Sequence, residues 1–357
     1  MEGLVMNQSF WKHKQVLLTG HTGFKGGWLS LWLQSMGAQV HGYALLPSTD
    51  PSFFSLADVE NGMASHTIAD IRDDKKLFDV VHKVQPDIVF HMAAQPLVRY
   101  SYAEPVETYS VNVMGTVNLL EAVRRISSVR VIVNVTTDKC YENREWSMAY
   151  KEDEPLGGYD PYSSSKACSE LVTAAYRQSY LAEKGIGVAT ARAGNVIGGG
   201  DWSNDRLIPD FFRAIVKNKP LVIRSPNAIR PWQHVLEPLS GYLNLAEKLH
   251  AEAAKYSGAW NFGPSEDDAQ TVSWILNNLA EKIPNATWQI DQNPQLHEAG
   301  LLKLDSSKAR GHLNWIPRWT LDEALNKIVE WQNQFENGSD LKKYSLTQIA
   351  DYVGVKL

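Results

Sequence analysis

The chain is predicted to fold as a doubly wound parallel α/β sheet with a smaller, mixed α/β lobe towards its C-terminus. Three observations predict this. Short β-branched runs alternate with amphipathic segments through the first half, the pattern of a parallel sheet covered by helices on both faces. Thr19-Gly20-His21-Thr22-Gly23-Phe24-Lys25-Gly26 lies between the apolar run Gln15-Val16-Leu17-Leu18 and an apolar-periodic stretch from Trp28 to Met36, which reads as strand, glycine-rich turn and helix. After Arg192 the alternation weakens, and Gly198-Gly199-Gly200-Asp201-Trp202 marks a loop beyond which strands and helices are irregularly mixed.

Taken in order, strands are expected at 15–18, 39–44, 65–68, 87–91, 129–135 and 187–191. The helices between them include 27–36, closed by Gly37, then 106–123 and 161–181. Residues 1–200 form the first domain, to which a later segment around 225–262 returns. Residues 201–357 form mainly the second, taking 201–218, a strand at 221–224 and much of 260–317, with a helix at 320–335 closing it. No internal repeat or low-complexity segment is present.

Bulk properties exclude several classes. Across 357 residues, 35 Lys+Arg against 40 Asp+Glu give a net charge of -5, so no basic field favours nucleic acid or an anionic membrane. An anionic ligand must be held locally. Cys140 and Cys168 form neither a disulfide framework nor a metal-ligand spacing, which suits a reducing compartment and makes the cytoplasm the expected location. Met1 to His13 holds no apolar stretch of signal-peptide length, and no run of ~18 apolar residues occurs. His21, His91 and His234 have no ligand spacing between them, so no metal is assigned. Most of the 12 tryptophans are expected in the core.

The glycine loop reads as a pyrophosphate cradle of Rossmann type. Gly20 allows the tight turn, Gly23 lets the backbone approach the phosphates, and Gly26 lets the helix pack close to the strand. Thr22, Phe24 and Lys25 complete a loop whose helix start offers N–H groups to an anion. This motif alone is weak. It gains force from Tyr162-Ser163-Ser164-Ser165-Lys166, in which a Tyr and a Lys one helical turn apart would face one site. Free Tyr titrates near ~10, so Tyr162 can act as a base only if a cation such as Lys166 stabilises its phenolate; Lys166 can also hold a nicotinamide ribose. Together these motifs point to hydride transfer with a nicotinamide dinucleotide. The ribose-reading position after the second strand falls near Ala44, neither acid nor Arg, and the lack of Arg or Lys from 41 to 50 favours NAD over NADP. Asp70 and Ile71 end the third strand and are candidates for the adenine side, while Ala93, Ala94 and Gln95 are candidates for the nicotinamide side. Thr137, Asp138 and Lys139 stand at the carboxyl end of the fifth strand, where this fold binds substrate: Thr137 to bond a sugar hydroxyl, Asp138 as an acid, Lys139 as a possible base. Arg192 and Asn195, ending the sixth strand, and Arg230 are candidates for a phosphorylated substrate. Arg192 and Arg230 each read equally as structural ion pairs.

In order, Gly20 to Gly26, His91-Met92-Ala93-Ala94-Gln95, Thr137-Asp138-Lys139, Tyr162 to Lys166 and Arg192-Ala193-Gly194-Asn195 resemble the extended short-chain dehydrogenase/reductase family of sugar-nucleotide epimerases and dehydratases. The resemblance runs through nearly the whole chain. It implies NAD in the larger lobe, a sugar nucleotide in the smaller, and a homodimer through a four-helix interface built from 106–123 and 161–181, or a homotetramer. For a dehydratase it implies that Tyr162 takes the proton from the carbon-4 hydroxyl, that Lys139 or a neighbour removes the hydrogen at carbon 5, and that Asp138 protonates the hydroxyl leaving carbon 6. One departure stands out: related dehydratases carry an acidic residue where this chain has Lys139, which would act as a partly neutral base or as a stabiliser of the enolate. A 4-epimerase would share Tyr162, Lys166 and Thr137 without needing Asp138. A non-catalytic dinucleotide sensor is the reading from another class.

Overall fold

The computed structural model describes residues 7–284, 286–293 and 300–354. Met1 to Met6 of the N-terminal stretch, and residues 285 and 294–299 within 260–317, lie outside the described residues. Seven parallel strands form the central sheet, in the order Gly258–Phe262, Gly187–Ala193, Val131–Val135, Ile88–His91, Gln15–Thr19, Gln39–Ala44, Ser65–Ile68. The chain builds outward from the first strand through the second and third. It then crosses back to lay the fourth on the other side of the first, opening a crevice at the carboxyl ends of those two strands.

Both faces are covered, which is why the fifth strand, Val131-Ile132-Val133-Asn134-Val135, is buried at every position instead of alternating. Val16 and Leu18 face a layer containing Trp28, Trp32 and the helix Leu236–Ala251. Leu17 faces the opposite layer with Val89, Ile132, Leu119 and Val123. The helix after the cradle starts at Phe24, three residues before the predicted 27, because Gly23 takes the N-cap. The stretch read as one helix over 106–123 comprises Pro105–Tyr109, a π-helical turn Ser110–Met114, and Gly115–Arg124. The stretch 161–181 likewise runs as an α-helix over Pro161–Tyr176 and then a π-helical turn, Arg177–Leu181.

The seventh strand is not among the six expected. Residues 260–262, where the segment around 225–262 expected to return to the first domain overlaps the stretch 260–317 given to the second lobe, pair in parallel with the sixth strand, Trp260 opposite Ala191. The second lobe is assembled from short pieces: the helix Leu207–Val216, paired strands Leu221–Ile223 and Trp288–Ile290, the pair Ile229–Pro231 and Ala269–Thr271, and the helix Val272–Lys282. Ile208, Phe211, Ile223, Ile275 and Leu279 are its core.

The helix Leu321–Glu336 begins at a capping box of Thr320 and Glu323. It sends Leu325 and Ile328 into the second lobe's core and Trp331 into an aromatic cluster with Phe53, Trp202 and Phe335. Gly199 packs on Trp331 so closely that a Cβ would come within 2.1 Å of the indole, and Trp28 Nε1 donates to the Gly199 carbonyl at 3.0 Å. The C-terminal helices thereby fix the Gly198–Asp201 loop that walls the crevice.

Glu237 fastens the same layer. Fully buried, it accepts from the Trp319 backbone N–H at 2.8 Å, from the Arg318 N–H and from the Tyr352 hydroxyl at 2.7 Å. Burial pushes its carboxyl up from 4.5 to about 7 against the pull of those donors. The folded chain thus keeps a proton that the unfolded chain releases above about pH 4.5. Stability falls as pH rises from there to about 7, by at most about 3 kcal/mol. Glu237→Gln should flatten this part of the stability–pH curve, measured by denaturant melts; a slope equal to the parent's would show that Glu237 does not titrate there.

Candidate active site

The crevice is a cavity of about 610 Å³ running from the glycine loop, past the carboxyl ends of the first, fourth and fifth strands, to the second lobe. Its first end fits a dinucleotide. Gly20 has φ +78°, and a Cβ there would lie 2.7 Å from the Ala93 nitrogen. A Cβ on Gly26 would lie 2.1 Å from the Gly20 carbonyl oxygen. Only glycine permits this approach, and the helix Phe24–Ser35 starts at Gly23 without a side-chain cap, so that its first N–H groups suit an anion. Thr22, Gly23, Phe24 and Lys25 line this end, with Leu45, Leu46, Asp70 and Ile71 further out. Thr22 Oγ1 donates to the Leu45 carbonyl at 2.8 Å, tying the cradle to the end of the second strand. The Asp70 carboxylate is held by the Arg72 guanidinium, which keeps it below the usual carboxylate range.

Ala93 and Ala94 line the middle of the cavity, but Gln95 does not. Between Ala94 and Pro96, which both line the cavity, the Gln95 side chain points elsewhere: its amide bonds Thr108 and the Leu97 carbonyl while its backbone N–H donates to Asn112. Gln95 is a brace between loop and helices.

Tyr162 and Lys166 lie on a helix whose start is set by Asp160, which accepts from the Ser163 N–H at 2.9 Å, and by Pro161 in the first turn. Both are buried, at 8 % and 6 % exposure, and both line the cavity. Burial raises the Tyr162 phenol to about 12; Thr137 beside its hydroxyl and the Arg206 charge pull it down, while Asp138 adds to the rise. The sequence assigns that stabilising cation as Lys166. In the structure the Arg206 charge acts on Tyr162 as well, while the Lys166 ammonium donates to the Val135 carbonyl at 3.2 Å. Burial lowers Lys166 to about 8, against an upward pull from Glu170.

Opposite Tyr162, the fifth strand ends in Thr137 and a single tight turn, Asp138–Cys140. Thr137 Oγ1 donates to Asp138 Oδ1 at 3.0 Å, whereas Asp138 Oδ2 is buried without a partner. Burial raises the Asp138 carboxyl, and Lys139, Thr137, Arg230 and Lys25 draw it back. A carboxyl whose proton affinity is raised by burial, with one oxygen outside any hydrogen bond, can serve as a general acid. Lys139, half-buried, lines the cavity beside it. Lys25 reaches in from the cradle helix, lowered to about 7 by burial and by the nearby Arg206 and Lys166 charges.

Asn195 and Arg230 line the far wall; Arg230 is buried and donates to its neighbour's carbonyl, Ile229 O, at 3.0 Å. Arg192 is absent from the cavity. Its guanidinium spans the Glu170 carboxylate at 3.0 and 2.8 Å and donates to the Tyr141 hydroxyl at 2.8 Å, so it is a buried structural ion pair. Arg206 and Asp201 were missed by sequence reasoning. Asp201 accepts from Arg206 at 3.0 Å and from the Ser203 N–H at 3.0 Å, holding in the cavity wall a guanidinium whose charge acts on Tyr162. An acid and an Arg five residues apart after three consecutive glycines were the available signal. Among the described residues no group of three or more His, Cys, Asp or Glu is arranged to hold a metal.

A glycine cradle at the switch point of a parallel sheet, faced by a buried Tyr–Lys pair, defines an extended short-chain dehydrogenase/reductase. Within that class the chain belongs to the GDP-mannose 4,6 dehydratase family, whose model matches residues 17–328. It is 52% identical to a CDP-glucose 4,6-dehydratase of Salmonella typhimurium, over 98% of this chain and 99% of that one. A probable dTDP-glucose 4,6-dehydratase of Sinorhizobium fredii is 28% identical over 91% of this chain and 93% of its own. Among solved structures, a Bacillus anthracis dTDP-glucose 4,6-dehydratase in complex with NAD superposes with TM-score 0.74 at 22% identity, covering 92% of this chain and 99% of that one. A Thermotoga maritima UDP-glucose 4-epimerase with UDP-glucose superposes at 0.76 and 21%, covering 90% and 99%. At such identities these two share the fold alone.

Proposed function

We propose that the protein is an NAD-dependent lyase that converts CDP-D-glucose to CDP-4-keto-6-deoxy-D-glucose and water, an early step towards 3,6-dideoxyhexoses of O-antigen lipopolysaccharide. The observation that carries this reading is Asp138. A buried carboxyl beside Tyr162, its proton affinity raised by burial, can supply the acid for losing water at carbon 6 and is superfluous for epimerisation at carbon 4. The 52% identity to a CDP-glucose 4,6-dehydratase supports the nucleotide.

The backbone of Gly20 to Gly26, with Asp70, Ile71 and Lys166, would hold NAD, which would supply reversible hydride chemistry to the sugar. Tyr162 takes the proton of the carbon-4 hydroxyl while Thr137 orients the sugar. Arg206, whose charge lowers the Tyr162 phenol, opposes the negative charge of the resulting phenolate, and Lys166, one helical turn along, is assigned the same role. The 4-keto group acidifies the hydrogen at carbon 5. Lys139 removes it when neutral, or stabilises the enolate when charged. Asp138 donates its proton to the departing hydroxyl. Arg230 and Asn195 hold the diphosphate, charge that the acidic chain must supply locally.

A homodimer or homotetramer follows the same reading: Val106, Tyr109, Met114, Leu171 and Tyr180 are exposed on 105–124 and 161–181. No described helix is long and apolar enough to cross a membrane, and a cytoplasmic location, without nucleic-acid or membrane partners, is part of the proposal.

Isotope position tests the reaction. CDP-glucose deuterated at carbon 4 should give a 4-keto-6-deoxy product with deuterium in its methyl group, and no crossover when mixed with unlabelled substrate. Deuterium kept at carbon 4 with inverted configuration would establish an epimerase instead, and stoichiometric free NADH a simple dehydrogenase. NAD binding without turnover of any glucose nucleotide would establish a sensor.

A further inference from the structure

Lys166 and Glu170, one helical turn apart, reach from the helix Pro161–Tyr176 to consecutive residues at the end of the fifth strand. Lys166 Nζ donates to the Val135 carbonyl at 3.2 Å, and Glu170 Oε1 accepts from Thr136 Oγ1 at 2.5 Å. Thr137 and Asp138 follow at once. The other Glu170 contacts lie on the sixth strand: Thr190 Oγ1 donates to Oε2 at 2.6 Å, and Arg192 spans both oxygens. Glu170 and Arg192 have side-chain exposures of only 4 % and 3 %. For cancelling the Arg192 charge, bonds to Thr136 and Thr190 would be unnecessary. Together they fix one helix face against the ends of two strands.

The geometry points to Glu170 as a positioning residue of the active site: through Thr136, Thr190 and Arg192 it sets the register of the Tyr162 helix against the Thr137–Asp138 strand end, and its carboxylate is the counter-charge of the Lys166 ammonium. Charges around Lys166 agree. Burial pulls Lys166 down to about 8 and Glu170 is the largest opposing influence. Cys140, from the turn after the fifth strand, is pushed up by burial and stays a neutral thiol. His91, from the fourth strand, is lowered by burial to about 3 and is neutral, and Lys25 from the cradle helix is cationic or neutral. Of these groups Glu170 is the largest source of negative charge acting on Lys166. Without it, Lys166 loses its proton at a lower pH.

This inference rests on Lys166 being the working cation beside Tyr162, so the test reads Lys166 both with and without turnover. In Glu170→Gln, trace acetylation of Lys166 by acetic anhydride, followed by peptide mass spectrometry across pH, gives its titration midpoint directly; the alkaline limb of kcat/KM gives it through activity. Both should move to lower pH by about one unit or more. Thr136→Val removes one hydrogen bond but no charge, and should lower Tm without moving either midpoint. If Glu170→Gln does not fold, a Glu170→Gln/Arg192→Met double variant, which removes both buried charges, should show a smaller shift in the same direction. An unmoved acetylation midpoint in a folded variant overturns the proposal. A moved acetylation midpoint with an unmoved kcat/KM limb leaves Glu170 as the counter-charge and overturns the catalytic reading of Lys166.

Discussion

Tyr162→Phe is expected to cut turnover by ~10²-fold or more while leaving NAD and sugar-nucleotide binding nearly intact. The ring is buried in the cavity wall and stays; only the hydroxyl beside Thr137 is lost. With no acceptor for the carbon-4 proton, the first oxidation stalls, so no NADH absorbance should develop when the variant is mixed with CDP-glucose. Turnover near that of the parent would refute the assignment of Tyr162 as base.

Asp138→Asn keeps shape and removes the acid. Oxidation at carbon 4 does not need that proton, whereas elimination does, so the variant should accumulate enzyme-bound NADH in a single turnover and form product slowly, by ~10²-fold or more. Thr137 Oγ1, which donates to the Asp138 carboxylate, can donate equally to the amide oxygen of the substituted side chain, so the strand end should hold its geometry. If no NADH signal appears and product forms at the normal rate, Asp138 is not the acid. The pair of variants separates the two halves of the reaction: one blocks before the 4-keto sugar, the other after it.

Much of the fold was legible because its signals are local. The second and third strands fall on the predicted residues, and the cradle, the Tyr162–Lys166 spacing and the Thr137–Asp138–Lys139 turn each occupy a few consecutive residues. What escaped depends on partners distant in sequence. Gly258–Phe262 is a short run that becomes a strand only because the edge of the sixth strand is there to pair with it. Arg192 read equally as a ligand of a phosphorylated substrate and as a structural ion pair, and only the packing of Glu170, 22 residues earlier, decides for the second. Gln95 belongs to a family-like motif, yet its amide is committed to Thr108 and Leu97. Arg206 carries no motif of its own, and only the folded loop turns it towards Tyr162.

The sequence by itself determined the class of fold, the position of the dinucleotide cradle and the identities of the groups able to move protons. Those properties follow from backbone freedom at glycine, from side-chain periodicity and from functional-group chemistry, all carried within single segments. The tertiary structure alone decided which charges are spent on the scaffold and which face the cavity. It also decided the protonation of those that do: Asp138 is driven towards its acid form, and Lys25 and Lys166 are lowered to about 7 and about 8. A carboxylate or ammonium has one intrinsic affinity for protons in water. Burial and the neighbouring charges that change it are brought together only when strands and helices far apart in the chain meet at one end of the sheet.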